Sequence, residues 1–312
     1  MRLFIAFCIF QLLILKTGFS QCCSMGSPTG ASSYVGVLDK NQIRIVTFYR
    51  HNYLDTYYEG TKESVLPTSL TKSYFNFGGL TLSYGISKHF TAETDLGYFF
   101  NKTQIYNFSG KEFQVNGYGL SNGTATIKYA AYKNLSRLIE VTVGLGLKFP
   151  FSQQPLYVDG TRLAIDLQPS SNAFGISVPL IFIKEFSAKS IRLMFLNKFE
   201  KNFSNPDHYI FGSSASNSLF ISKRIFSHLM LLMQLRNDFR FSDLTNGDKA
   251  VNTGSDVVTF SPHLSYTLGK NLHIAGLFDI PVFKNYIGHQ LGLKYAFAFS
   301  LTKTFDLNSS QK

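Results

Sequence analysis

Charged residues at every second position carry the first chemical signal in the chain. Arg236, Asp238 and Arg240 are spaced by two, as are Glu93 and Asp95, and each has an apolar neighbour. In an extended strand, residues i and i+2 share a face. A face that gathers both signs can hold and discriminate ions or polar solutes. Lys128, Glu140, Lys148, Arg192, His263 and Lys294 fall on the same inferred face, together with Lys198, Glu200 and Asp279. A second chemistry sits near the N-terminus. Cys22, Cys23 and Met25 are soft ligands suited to Cu(I), or a redox pair. Two adjacent thiols do not complete a tetrahedral site alone, no His cluster follows them, and one adjacent pair builds no disulfide framework.

The elements that must position these groups are long strands. From Ile43 to Phe305 apolar and polar residues alternate in extended runs, most clearly from Leu291 to Phe305. Between residues 137 and 149, Ile139, Val141, Val143, Leu145, Leu147 and Phe149 share one face, opposite Glu140, Thr142, Gly144, Gly146 and Lys148. The pattern predicts strands over 42–58, 73–86, 90–101, 116–131, 137–149, 173–185, 190–201, 209–222, 227–240, 255–267, 271–283 and 288–305. That is about twelve, the even number expected of a single-chain bacterial barrel. Connections alternate: long at 59–72, 102–115, 150–172, 202–208 and 241–254, short at 87–89, 132–136, 186–189, 223–226 and 268–270. Only 284–287 is short for its class. Outer-membrane barrels keep short turns in the periplasm and long loops outside, which puts both termini in the periplasm. The expected fold is therefore all-β, a transmembrane antiparallel up-and-down barrel occupying 42–305, followed by a short polar tail at 306–312.

Residues 1–20 read as an export signal. Arg2 supplies the positive start, Leu3–Leu15 is apolar apart from Gln11, and Gly18 and Ser20 place small residues before the cut. The apolar run is too short to cross ~30 Å of hydrocarbon as a helix. Gln21 before Cys22 fits lipidation poorly. Segment 21–41, rich in Ser and Gly, is expected to be a flexible periplasmic tail or a plug in the lumen.

Composition agrees with a barrel that mixes a lipid face with a wet interior. The chain is 45% hydrophobic and 16% charged, with 31 Phe, 17 Tyr and no Trp; its mean hydropathy is +0.02. Removing Arg2 and Lys16 with the signal lowers the formal charge from +11 to +9. The cations are spread over turns and alternate positions, which argues against nucleic acid as a partner. Lys88, Lys133, Lys189, Lys223, Arg224 and Lys270 sit in or beside the short turns. They are either solvated turn residues or contacts to anionic phospholipid heads of the inner leaflet.

Strand length and the missing catalytic motifs weigh against a soluble or catalytic protein, while two prolines weigh against two of the predicted strands. Soluble β-sandwich strands are shorter, about 5–6 residues. Pro179 and Pro262 fall inside predicted strands, where a missing N–H interrupts the ladder and suggests bulges or shifted boundaries. No nucleophile elbow, His-Glu-x-x-His pair, Cys-x-x-Cys or phosphate loop occurs, and Ser204, His208 and His289 lack identifiable partners, so no enzyme and no cofactor is expected.

The stretches Cys22-Cys23-Ser24-Met25-Gly26-Ser27-Pro28, Gly36-Val37-Leu38, Leu96–Ile105 and Val143–Pro150 resemble an uncharacterised family of Gram-negative outer-membrane β-barrels with a Cys-Cys mature N-terminus, labelled porin-like or transporter. The resemblance covers the first half of the chain and implies an outer-membrane location and a transport role. It supplies no substrate and no catalytic residue. The function expected is passive or facilitated passage of small solutes through a narrow charged lumen. The alternative is a non-conducting barrel that anchors a periplasmic partner or handles a soft metal or redox group through Cys22 and Cys23. Expected partners are outer-membrane lipid, the barrel-assembly machinery and an unidentified small solute.

Overall fold

A strand that alternates apolar and polar side chains has two faces with opposite solvent needs. Closing such strands into a ring satisfies both at once, with apolar residues turned to lipid and polar ones to the lumen. The computed structural model describes residues 36–65, 69–151, 154–269 and 271–307, and in it the chain closes in this way. The strands are β1 (Gln42–Gly60), β2 (Leu70–Gly85), β3 (Phe90–Phe108), β4 (Lys111–Leu120), β5 (Gly123–Asn134), β6 (Ile139–Phe149), β7 (Gly175–Phe186), β8 (Ile191–Asn202), β9 (Ser214–Arg224), β10 (Leu229–Arg240), β11 (Ser255–Leu268) and β12 (Leu272–Asp306). All but β4 form an antiparallel meander, and β12 returns to pair with β1. Strand β12 doubles back at Ile287-Gly288, where Gly288 takes φ +66°. Its first half pairs with β11 and its second half with β1. The wall is thus crossed twelve times by eleven ring strands.

Alternation sorts the faces as the sequence pattern requires. Leu145, Leu147, Leu219, Leu235, Leu264 and Leu301 are exposed on the outside. Tyr84, Phe90, Tyr129, Tyr266 and Phe305 form an aromatic band at the short-turn end. Inward positions are buried: Arg44, Arg50, Asn52, Ser83, Lys128, Gln234, Ser261 and Asp279 among them.

Three expectations are corrected. Residues 102–115 are not a loop. They extend β3 and β4 into a hairpin beyond the wall, turning at Ser109-Gly110 and stiffened by stacked Tyr106, Phe108 and Phe113. The ninth strand starts at Ser214, because Tyr209-Ile210 pairs instead with Leu244-Thr245 between loops. Pro179 and Pro262 cause neither a bulge nor a boundary. Each keeps register with one neighbour, Lys198 and Met233 respectively, and interrupts the ladder only on the other side. Gly144 lies opposite Pro179, where an added Cβ would come within 2.8 Å of the proline ring.

The outward face generates a test. Leu145 is 60% exposed near the middle of β6. Leu145→Arg places a cation in hydrocarbon and should destabilise the barrel by about 2–4 kcal/mol. Urea unfolding in vesicles, compared with Leu145→Ile, measures the loss.

Candidate functional site

The inward face of β1 begins the site. Arg50 donates from Nε to Asn52 Oδ1 at 2.8 Å and from Nη2 to Asp279 of β12. Arg236 of β10 reaches the same carboxylate at 3.2 Å and holds Asp238 at 2.7 Å through Nε. Ser261 of β11 donates to the other Asp279 oxygen. Asp279 is 0% exposed, so its charge is tolerable only because two guanidiniums and a hydroxyl surround it. Across the lumen, Lys148 Nζ lies 2.7 Å from both Glu200 and Asn202, and Lys198 lies 3.6 Å from Glu200.

These groups, apart from Asp279 and Ser261, line a cavity of about 270 Å³ in the half of the lumen nearer the long loops, its outer half. Its charged lining comprises Arg50, Lys102, Lys148, Lys198, Arg236 and Arg240 against Asp95, Glu200 and Asp238. Apolar walls come from Phe48, Phe77, Phe99, Phe211 and Phe239. The long loop after β6 closes one side of the mouth. Its single turn Ile165–Leu167 tucks inward, with Leu163 and Leu167 buried. Lys102 Nζ donates to Gln168 O at 2.8 Å, Gln104 donates to Asp166, and Ser170 donates to Asn122 at 2.8 Å. Buried Asp243 ties two further loops to the rim, accepting from Gly212 N at 2.7 Å and from Arg240. Arg162 and Asp207 pair between loops, and that hydrogen bond holds the guanidinium above its ordinary pKa.

A second recess of about 190 Å³ opens at the short-turn end, lined by Val37, Arg44, Glu140, Ile183 and Arg192 among others. Among the described residues, the two spaces share no lining residue. Strand by strand, the inward residues between them include Val46, Glu93, Thr142 and Met194. Glu93 and Lys128 pair there at 2.6 Å, and Gln234 bridges His263 and Ser218 at 3.0 Å each. An apolar cluster of Ile181, Met194, Leu196, Phe220 and Leu232 covers the arc formed by β7 to β10. Below this septum the chain entering β1 crosses the opening. Val37 N donates to Glu140 and Leu38 N to Thr91, both at 2.8 Å.

The sequence-predicted groups therefore divide among four places. Asp95, Lys148, Arg236, Asp238 and Arg240 line the outer cavity, and Thr81 donates to Asp95 at 2.6 Å. Glu93, Lys128 and His263 belong to the septum, and Glu140 and Arg192 to the inner recess. Lys294 is a correction. It is 55% exposed, does not line the cavity and pairs with Asp55 at 2.6 Å. The pairing runs Tyr53↔Tyr295 and then Leu54↔Leu293, so a bulge skips Lys294 and breaks the alternation that had placed it inside. Cys22, Cys23 and Met25 lie outside the described residues; among those described, no cluster of metal-ligating side chains occurs.

Sequence reasoning missed Arg50, Asn52 and Lys102. Arg50 and Asn52 alternate with Tyr49, His51 and Tyr53, which are themselves half polar, so the two faces show little contrast. Lys102 follows a bulge, where Asn76↔Asn101 is succeeded by Phe77↔Phe99, and this bulge also shifts the alternation.

Asp279→Asn should leave two buried guanidiniums without their shared counter-charge and cost about 3–5 kcal/mol. Asp238→Asn, half exposed beside Arg236, should cost under about 1 kcal/mol. Paired urea titrations of the two variants check this order.

No protein-family profile and no curated protein matches the sequence. Among solved structures, an outer membrane channel from Pseudomonas putida F1 superposes with a TM-score of 0.67 at 12% identity, over 90% of this chain and 100% of that one. The KdgM porin gives 0.45 at 9%, over 83% and 99%. A Pseudomonas aeruginosa FadL homologue gives 0.43 at 9%, over 93% and 100%. The first of these likenesses agrees with the strand order and closure described above: the chain has the fold of an outer-membrane β-barrel.

Proposed function

We propose that the protein is an outer-membrane channel for small solutes and that its outer cavity favours anionic ones. The observation that carries this reading is the set of six cations and three carboxylates lining that cavity, inside a closed wall; cations still lead by one when Asp279 and Asp243, paired to them from behind, are counted. Buried side chains aimed at one another fix these charges, so a solute meets a preset field. The cavity volume suits a small molecule and leaves no room for a folded chain.

A second reading draws on the septum. The Glu93–Lys128 pair and the apolar cluster lie between the two spaces, an arrangement that suits a barrel that anchors a periplasmic partner and conducts nothing. Current across a planar bilayer distinguishes the two. A channel gives stable single-channel steps, in the full mature chain or in a form lacking 21–40, and a reversal potential that favours chloride over potassium. Silence in both forms refutes the channel. In a conducting form, Lys102→Glu with Lys198→Glu should move the reversal potential toward cation preference.

A further inference from the structure

The two ends of the barrel differ in charge. Four of the short turns, at 86–89, 135–138, 187–190 and 225–228, contain no Asp or Glu. Most turn and loop acids lie on the outer loops, among them Glu63, Asp159, Asp166, Asp207, Asp243 and Asp248; at the short-turn end Asp39 pairs with Lys133, Glu185 pairs with Arg192, and Asp306 is exposed. Exposed cations occupy or adjoin the acid-free turns: Lys88 between β2 and β3, Arg137 between β5 and β6, Lys189 between β7 and β8, Lys223 and Arg224 before β10.

The same turns expose apolar side chains. Leu135 is 75% exposed and Phe226 68%, each within two residues of an arginine. Directly outward of them stands the band of Tyr84, Phe90, Tyr129, Tyr266 and Phe305. Cations outside an aromatic band, with apolar tips between them, suit the boundary between acyl chains and headgroups. The cations also lie around the circumference rather than on one patch. A globular partner covers one side of a ring; lipid surrounds it.

We propose that the short-turn rim is a binding surface for anionic phospholipid headgroups of the inner leaflet. Lys88, Arg137, Lys189, Lys223 and Arg224 meet the phosphates, and Leu135 and Phe226 dip among the glycerol and upper acyl groups. The proposal is independent of whether the lumen conducts.

Native mass spectrometry of the full mature protein, released from mixed micelles of phosphatidylglycerol and phosphatidylcholine, tests it. The expected result is phosphatidylglycerol retained roughly tenfold over phosphatidylcholine, falling toward parity near 1 M salt as the screening length shrinks to about 3 Å. Replacing the five rim cations with Gln should bring retention to parity while the barrel still shows the heat-modifiable migration of a folded form. Lys62→Gln with Lys249→Gln, at the outer end, should leave retention unchanged. Equal retention of both lipids by the wild type overturns the proposal, as does an unaltered preference in the rim variant or an equal loss in the outer-end variant. Capture of an acidic polypeptide without phosphatidylglycerol preference overturns it in favour of a protein partner.

Discussion

The structure depends on closure of one seam. A strand edge left open in hydrocarbon exposes backbone groups that cost several kcal/mol apiece, so a spanning sheet must return to its first strand. Here the return is the long ladder between β1 and β12, running from Gln42↔Asp306 through Tyr53↔Tyr295. Arg50, Asp279 and Arg236 straddle that seam from inside, contributed by β1, β12 and β10. The lumen charges thus brace the wall as well as furnish the cavity. A group in either role cannot be altered without touching the other.

Twelve passes set a bore between the filled eight-stranded barrels and the open porins of sixteen or more. The interior shows both tendencies. Toward the outer loops the side chains leave a cavity; toward the short turns they meet in ion pairs and an apolar cluster. Side-chain size differs between the two levels: Met194 and Phe220, paired on adjacent strands, pack into the apolar cluster, whereas Ser214 and Ser216 line the cavity.

Much of this was legible in the sequence, because the two-residue period of a strand coincides with the division between lipid and lumen. The Ile139–Phe149 strand, with its leucines outside and Lys148 inside, shows how far that rule reaches. It fails where the period is broken. Bulges at Lys294 and Phe100 shift the faces by one residue, and nothing in the local composition announces either. It also fails outside the wall. The inward fold of Ile165–Leu167 rests on the Gln168 carbonyl, the Asp166 carboxylate and the Ser170 hydroxyl meeting Lys102, Gln104 and Asn122, contacts without periodicity. The β3–β4 hairpin was hidden for a related reason: its polar residues resemble a loop once neither face meets lipid.

The segment across the inner opening bears on the order in which the molecule is assembled. Leu38 is fastened by Thr91, 53 positions later, and Val37 by Glu140, 103 positions later. The first part of the described chain to be synthesised cannot settle until β3 and β6 stand in the wall. The N-terminal stretch is therefore a late fastener, emerging early and seating only once distant strands have been laid down. Until then Glu140 faces the opening without Val37, and Leu38, buried in the finished molecule, remains in water. The strap thus couples the N-terminal end of the described chain to two separate strands of the finished wall, β3 and β6.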